Sequence, residues 1–381
     1  MRVLIVGGGV GGLGLAAALR GRAEVVVVER AAAWKPVGAG LMLHANAMAA
    51  LRVAGVAVDY GAAIDEMVIT DRRGTPLGPL RLTDFAPDLR DARLVHRADL
   101  HAALLAASTA DVRLGTSIEA LEGTRARLSD GSEAEWDVVV GADGIRSTVR
   151  HLVMGGADPA PTYLGYTCWR WVGRDPGVGR VTEMWGRGQR VGLCPLGDGR
   201  LYGFLVANAP AGSCGDETAA QLQARFAGFE GPAAAALATL DDAVLRHDDL
   251  YDLPDVCWGR GAVVLIGDAA HAQTPNLGQG AATALEDAVI LARALTDGAP
   301  VEAALEDFRR SRARRVRELQ QLGRRIGAVA QWESPVATTL RDWLAWATPA
   351  RTNAAMLERI VRAGVTDVAG RVSPGDPPAL R

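Results

Sequence analysis

The sequence predicts an α/β fold: a Rossmann-type parallel sheet, an antiparallel sheet inserted into it, and a helical C-terminal region. Three observations carry that prediction. A β-branched strand, a glycine-rich turn, a helix and a second β-branched strand follow one another up to Val28. Short alternating segments broken by Gly and Pro fill positions 161–207, and helical patterning runs from about Gln279 to about Ala363. The chain has 381 residues, 49% hydrophobic and 22% charged, enough for two ordinary domains or one large α/β domain with an embedded module. Its formal charge is 41 minus 44, or −3, which argues against a fibre, a disordered tail or a nucleic-acid-binding protein.

Taken in order, Val3–Val6 is a short apolar strand, Leu13–Arg20 an alanine-rich helix and Val25–Val28 a buried parallel strand. Asn46 can cap a helix through Leu51, and Arg97–Ala107 is amphipathic. Strands are expected near Val112–Leu114 and Val138–Val140, with more strands of the second sheet near 64–96. The antiparallel sheet comprises Tyr163–Trp171, Val181–Trp185, Arg190–Cys194 and Leu201–Val206. Two helical stretches and a strand near Val244–Leu250 follow, then the strand Ala262–Ile266 and a helix from Gln279 to Leu295. These elements divide the chain into a cofactor-binding unit at 1–160 and 256–300, the inserted sheet at 161–255, and the helical region at 301–381.

Cys168, Cys194, Cys214 and Cys257 form no C-x-x-C pair, so neither structural zinc nor a disulfide framework is expected, and a reducing cytoplasm is the default compartment. The histidines, His44, His96, His101, His151, His247 and His271, form no ligand-spaced cluster, so no metal is expected. Val3–Leu19 is uncharged between Arg2 and Arg20 but too rich in glycine for a signal peptide. No other run approaches the ~20 apolar residues of a membrane span.

The first motif, V-L-I-V-G-G-G-V-G-G-L-G, places Gly7, Gly9 and Gly12 in G-x-G-x-x-G, with Val10 and Gly11 between them and Glu29 and Arg30 closing the second strand. Glycine permits the tight turn and brings backbone N–H groups to a pyrophosphate at the positive end of a helix. The acid accepts hydrogen bonds from an adenosine ribose. Strand, glycines, helix, strand and acid in one span point to an ADP-containing cofactor. Since Glu29 would repel a 2′-phosphate, FAD or NAD is preferred over NADP.

Two further segments are D-V-V-V-G-A-D-G-I-R-S-T-V-R, with Asp143 and Gly144, and V-V-L-I-G-D-A-A-H-A-Q-T-P-N-L-G-Q-G-A-A-T-A-L-E-D, with Gly267, Asp268, Pro275, Gly278, Gln279 and Gly280. With these three motifs in this order the chain resembles the class A flavoprotein monooxygenases, the para-hydroxybenzoate hydroxylase family, from Val3 to about Leu295. The G-A-G-L stretch at Gly38–Leu41, V-H-R-A-D-L at Val95–Leu100 and G-Y-T-C-W-R at Gly165–Arg170 resemble most the branch containing salicylate hydroxylase, FAD-dependent urate hydroxylase and zeaxanthin epoxidase. One departure is visible: relatives often read G-P-N where this chain has His44-Ala45-Asn46.

The resemblance implies a glutathione-reductase-like FAD-binding domain. The first glycine turn and Glu29 would hold the ADP half of FAD. Arg97, with Gly40 and Leu41, would lie at the ribityl-phosphate region, and Asp268 would hydrogen-bond the ribityl chain. Asp143 and Gly144 would lie near the pyrophosphate and the incoming nicotinamide nucleotide, while Pro275 and Leu277–Gly280 would border the isoalloxazine. It also implies the reaction: NADH or NADPH reduces FAD, O2 forms a C4a-hydroperoxide, and one oxygen passes to a small aromatic or heteroaromatic substrate. Read from the residues alone, the glycines of Leu277–Gly280 and the positive end of the following helix suit the anionic pyrimidine edge of a reduced flavin. For Asp143 and Asp268, helix capping is a competing or coexisting role.

Substrate contacts should come from the antiparallel sheet. Tyr166, Cys168 and Arg170 form one face of Tyr163–Trp171, with Gly165, Thr167, Trp169 and Trp171 on the other, and the face turned to the flavin is open. Arg170 could orient a phenolate or carboxylate, or simply form an ion pair. Met184 and Trp185 read first as core, and His44 as a loop histidine that could act as a base. Arg170, His44 and Pro275 are thus the candidates at the reacting centre. The arginine-rich stretch Arg309–Arg325 reads as a solvated helix face. Trp332, Trp343 and Trp346 could cap the pocket or form a dimer contact, and burial against the FAD unit is the simpler reading. The functional expectation is a monomeric or homodimeric aromatic hydroxylase. Its rivals are an epoxidase, oxidase or natural-product tailoring enzyme, and a non-catalytic dinucleotide-binding protein.

Overall fold

The computed structural model describes residues 1–34 and 39–370, so Gly38 of the G-A-G-L stretch lies outside the described residues. Arg2–Val6 runs near the middle of a six-stranded sheet ordered Gly259–Arg260, Val263–Leu265, Val138–Gly141, Arg2–Val6, Glu24–Glu29, Asp111–Leu114. Every pairing is parallel except that of the Gly259–Arg260 edge. The valine-rich runs suit burial on both faces. Val3, Ile5, Val25 and Val27 meet the core beneath the helices Val10–Ala18 and Gly280–Thr296, while Leu4, Val6, Val26 and Val28 pack with Trp136 and Val149. The first helix starts at Val10, three residues before the expected Leu13, because its glycines serve a close approach and do not end it. A Cβ on Gly14 would stand 3.0 Å from Leu285, and one on Gly11 3.4 Å from Ala284.

A seven-stranded sheet stands beside it, ordered Arg246–Asp252, Thr162–Arg174, Arg200–Asn208, Gln189–Pro195, Val181–Trp185, Glu66–Asp71, Pro76–Arg81. Alternation along Thr162–Arg174 sorts the side chains. Trp169 and Trp171 pack outward under the helices Ala219–Arg225 and Pro232–Leu237 with Met184, Leu222 and Phe226. Tyr166 and Cys168 turn the other way, with Phe204, Val206 and Leu250. Gly203, opposite Trp171, makes room for that indole, since a Cβ there would be 2.2 Å from the ring.

Three helices, Val301–Ala330, Pro335–Ala347 and Ala350–Ala369, complete the described chain. Here the structure corrects three expectations. Asn46 does not cap: His44 occupies the N-cap of the helix Ala45–Val53, and the Asn46 side chain is buried, donating to Gln279 Oε1 (2.8 Å) and Glu286 Oε1 (2.7 Å). The arginine stretch is only half solvated: Arg310, Arg314, Arg317 and Arg325 are exposed, but Arg312 and Arg315 are buried. Arg312 reaches Glu286 (2.8 Å) and Asp287 (2.7 Å), and Arg315 reaches Glu286 (2.6 Å). Lastly, Trp343 and Trp346 are not buried against the FAD unit but stand exposed.

The Glu286–Asp287 pair joins four elements. His271 Nε2 lies 2.6 Å from Asp287, and the Gly267 N–H donates to the same carboxylate at 3.0 Å. Burial alone would raise the Asp287 pKa, but His271 and Arg312 outweigh it and hold it at about 2. Burial likewise works against Glu286, and Arg312 and Arg315 hold its pKa below the ordinary value. Replacing Arg312 with methionine would leave two buried carboxylates short of a countercharge, so urea unfolding should show a loss of about 3–5 kcal/mol; a loss below about 1 kcal/mol would contradict this account.

Candidate functional site

The first turn separates glycines needed for packing from those that leave space. Gly7 has φ +110, and a Cβ there would stand 2.4 Å from the Ala142 carbonyl oxygen; one on Gly12 would stand 2.0 Å from the Gly7 oxygen. Neither position can carry a side chain. Gly9 is different: it is the N-cap of Val10–Ala18 with φ −81, and a Cβ would meet nothing within 4 Å. The amide end of that helix therefore faces open space. Val10 and Gly11 lie on the packing side. Glu29 accepts the Gly8 and Ala31 N–H groups, both at 2.9 Å, and keeps lone pairs for a hydroxyl partner. Arg30 is exposed beside it.

Asp143 follows the strand Val138–Gly141, one residue beyond the Ala142 carbonyl that Gly7 abuts. It accepts from Thr148 N (2.7 Å) and Val149 N (3.2 Å) and from the Ser147 hydroxyl, so the capping role is filled. Burial still lifts its pKa above the ordinary value. Gly144 has φ +83, and a Cβ there would meet nothing within 4 Å.

The third segment starts at Gly267 (φ +57), against Ala284 of the same helix that Gly11 touches. Asp268 opens the short helix Asp268–His271 and accepts no side-chain hydrogen bond among the described residues. It is open to water yet hemmed in by protein, and desolvation lifts its pKa against the pull of His271 and Arg97. Arg97, exposed at the start of Arg97–Ala107, is close enough to act on both Asp268 and Tyr202 and forms no ion pair among the described residues. The turn Pro275–Leu277 ends in Gly278 (φ +61), against Met42, with Pro275 exposed. Gln279 is buried: its Oε1 accepts from Asn46, and its Nε2 has no partner among the described residues. Gly280 begins the 17-residue helix, and a Cβ on it would meet nothing within 4 Å. Gly40 lies under Tyr202, where a Cβ would be 2.5 Å from the ring, and Leu41 is half-buried at the core edge.

Gly7 beside Ala142, and Gly11 and Gly267 beside Ala284, bring the three motif segments together, with Arg97 near Asp268, and the turn before Gly278 meets one face of the antiparallel sheet. That face is the Tyr166–Cys168 face: Asn276 Nδ2 donates to Tyr166 Oη at 3.2 Å, and Arg190 stands 5.8 Å from the Tyr166 ring centre. Arg170 shares the strand face but pairs with Asp248 at its solvent edge. Met184 is core, while Trp185 lies under the Arg341 guanidinium at 5.2 Å. His44 is buried as an N-cap with no capping hydrogen bond from its side chain. Sequence reasoning missed Trp34, whose indole covers Gly8 and meets His101 at 4.4 Å, and also Met42, Tyr202 and Asn276. The only signal was indirect: Gly8 and Gly40 are glycines because rings lie over them.

A family model described as an FAD binding domain matches residues 1–173 and 255–322. The aurachin C monooxygenase/isomerase of Stigmatella aurantiaca is 38% identical over 360 residues, covering 90% of this chain and 93% of that protein. The 2-heptyl-3-hydroxy-4(1H)-quinolone synthase of Pseudomonas aeruginosa is 35% identical over a 396-residue alignment, covering 97% and 100%. Among solved structures, Klebsiella pneumoniae HpxO complexed with FAD and uric acid matches with a TM-score of 0.86 at 26% identity, covering 96% of this chain and 97% of that one.

Burial lowers the His44 pKa to about 4, so the imidazole is neutral at neutral pH and resists protonation. An unfolded histidine titrates near 6.5, so the unfolded chain binds the extra proton first as pH falls. The stability His44 contributes is present above about pH 6.5 and lost progressively towards pH 4. Between pH 7 and pH 5 the loss should be about 2 kcal/mol. It should be absent from His44→Gln in matched urea titrations, and an equal loss in that variant would refute the assignment.

Proposed function

Because the chain belongs to the class A flavoprotein monooxygenases, with an FAD-binding-domain match spanning both parts of its parallel-sheet unit, we propose that it uses NADH or NADPH and O2 to hydroxylate a planar heteroaromatic ring held against the inner face of the antiparallel sheet. The residues present fit FAD. The observation that carries this is the set of open Cβ directions at Gly9, Gly144 and Gly280, one in each of the three motif segments, where glycine leaves room for a ligand. Glu29 would hold the adenosine ribose, the Gly9–Gly12 turn the pyrophosphate, Arg97 and Asp268 the ribityl region, and Gly278–Gly280 the ring. When bound, FAD supplies two-electron exchange with a nicotinamide and activation of O2.

The chain's own part is positioning, charge stabilisation and exclusion of water. The free N–H groups at Gly280, backed by the helix dipole, would stabilise negative charge on the adjacent ring edge by about 0.3–2 kcal/mol. Tyr166, Phe204, Val206 and Leu250 form an apolar wall that keeps water from the reacting carbon. Such a wall favours a ring bearing an apolar substituent, and two of the relatives above are named for an aurachin and a heptylquinolone. His44 remains the candidate base, a weak one because burial disfavours its protonated form. Arg170, if released from Asp248, could orient an oxyanion on the substrate.

The test is oxygen and nicotinamide consumption by the FAD-loaded protein with 2-heptyl-4-quinolone, salicylate or urate. The quinolone should accelerate both by at least about tenfold and leave a hydroxylated product; acceleration by urate alone would sink the substrate class, and acceleration by no ring would sink the hydroxylase. Arg170→Ala should weaken the stimulation with FAD retained, and unchanged kinetics would remove Arg170 from the site. Gly9→Val should lower FAD affinity by about 100-fold or more while the apoprotein's circular dichroism stays the same, because the space it fills belongs to the ligand. Gly12→Ala should instead damage the fold itself.

A further inference from the structure

The helix Pro335–Ala347 presents an apolar face that no other element among the described residues covers. Val336 is 79% exposed, Leu340 50%, Trp343 56% and Trp346 67%. The first three recur at helical spacing, so they share one side. The opposite side is anchored: Arg341 donates to the carbonyls of Ala330 (3.0 Å) and Gly186 (3.1 Å), and its ion pair with Asp342 cancels the helix's two charges. What faces water is therefore an uncharged strip carrying two indoles.

The rim of that strip is basic. Arg187 sits between Gly186, which Arg341 holds, and Gly188, whose N–H donates to the Trp332 carbonyl. Arg351 is the second residue of the next helix, and Arg359 lies one turn beyond its exposed Met356. Arg72 and Arg73 form the hairpin tip of Pro76–Arg81, the strand whose Gly78 packs under the Ala345 carbonyl. None of these five arginines pairs with a carboxylate among the described residues. Glu358 beside Arg359 is paired with Arg362; the rim carboxylates outside ion pairs among the described residues are Asp71, Glu230 and Glu333, so the unpaired groups are five positive against three negative in a chain whose total is −3. Glu333 is committed to Asn208 at 2.7 Å, and Asp71 accepts the Arg73 and Thr75 N–H groups.

We propose that this face docks the protein on an anionic lipid surface, with Pro335–Ala347 lying in the interface and its tryptophans at headgroup depth. The charge pattern selects this occupant. A two-fold contact between copies would set the arginine excess against itself, whereas an anionic bilayer complements both rim and strip. The helix lies on the membrane and does not span it: no described helix is long and apolar enough to cross. The docking stands independently of the substrate reading.

The experiment is co-sedimentation of the FAD-loaded protein with vesicles of equal parts phosphatidylglycerol and phosphatidylcholine, and with phosphatidylcholine alone. Binding should favour the anionic vesicles, weaken with salt, and fall by at least about tenfold in W343Q/W346Q and in R187A/R351A. Both double variants change exposed side chains, and retained FAD content and circular dichroism confirm their fold. No binding at low salt, or undiminished binding by both variants, overturns the proposal. Equally, concentration-dependent dimerisation that W343Q/W346Q abolishes would assign the face to a second copy. Each of these outcomes leaves the turnover assay above unaffected.

Discussion

The structure depends on a buried knot of charge. Glu286 and Asp287, consecutive on the helix that begins at Gly280, are inaccessible to water, and each is neutralised by groups from elsewhere in the chain: Arg312 and Arg315 on one side, His271 and the Gly267 N–H on another, Asn46 on a third. Isolated, either carboxylate would be too costly to bury. Paired, they need not add net stability over a well-packed apolar core. What they supply is register. An ion pair at 2.6–2.8 Å with directional hydrogen bonds allows one placement of the arginine helix along the groove helix, where leucines would tolerate several.

That register reaches the proposed cofactor groove directly. Asn46 bridges Glu286 to Gln279, the residue between the two glycines of the 278–280 turn, and Asp287 holds Gly267, the residue before Asp268. Both ends of the third groove segment, at Gly267 and at 278–280, are thus tied to the same pair of carboxylates. The first, the Gly7–Gly12 turn, is packed closely instead, through Gly7 against Ala142 of the second segment and Gly11 against Ala284. Backbone contact sets one end of the groove and electrostatics the other.

The parallel sheet was legible because its signals are local: β-branched runs buried on two faces, and a turn whose glycines, helix and acid fall within 30 residues. Alternation sorted Thr162–Arg174 into two faces but could not orient them, since that depends on Asn276 reaching Tyr166 from 110 positions away. The same limit hid the role of Asn46, whose partners lie 233 and 240 residues on, and of Arg312, which looks like any surface arginine until a second helix brings acids to it. The tryptophans misled for the opposite reason. A large aromatic usually implies burial, and only the packing of Pro335–Ala347 by its Arg341 side reveals that the indoles face outward.

The last helix closes the knot. Arg315 donates to the Ile360 carbonyl at 2.9 Å, Arg312 reaches Asp367 at 3.3 Å, and Gly364 lies so near Glu286 that a Cβ would stand 2.2 Å from its oxygen. The helix Ala350–Ala369 thus covers the carboxylates that, through Asn46, fix Gln279, so an element remote in sequence from the glycine turn bears on the same proposed groove.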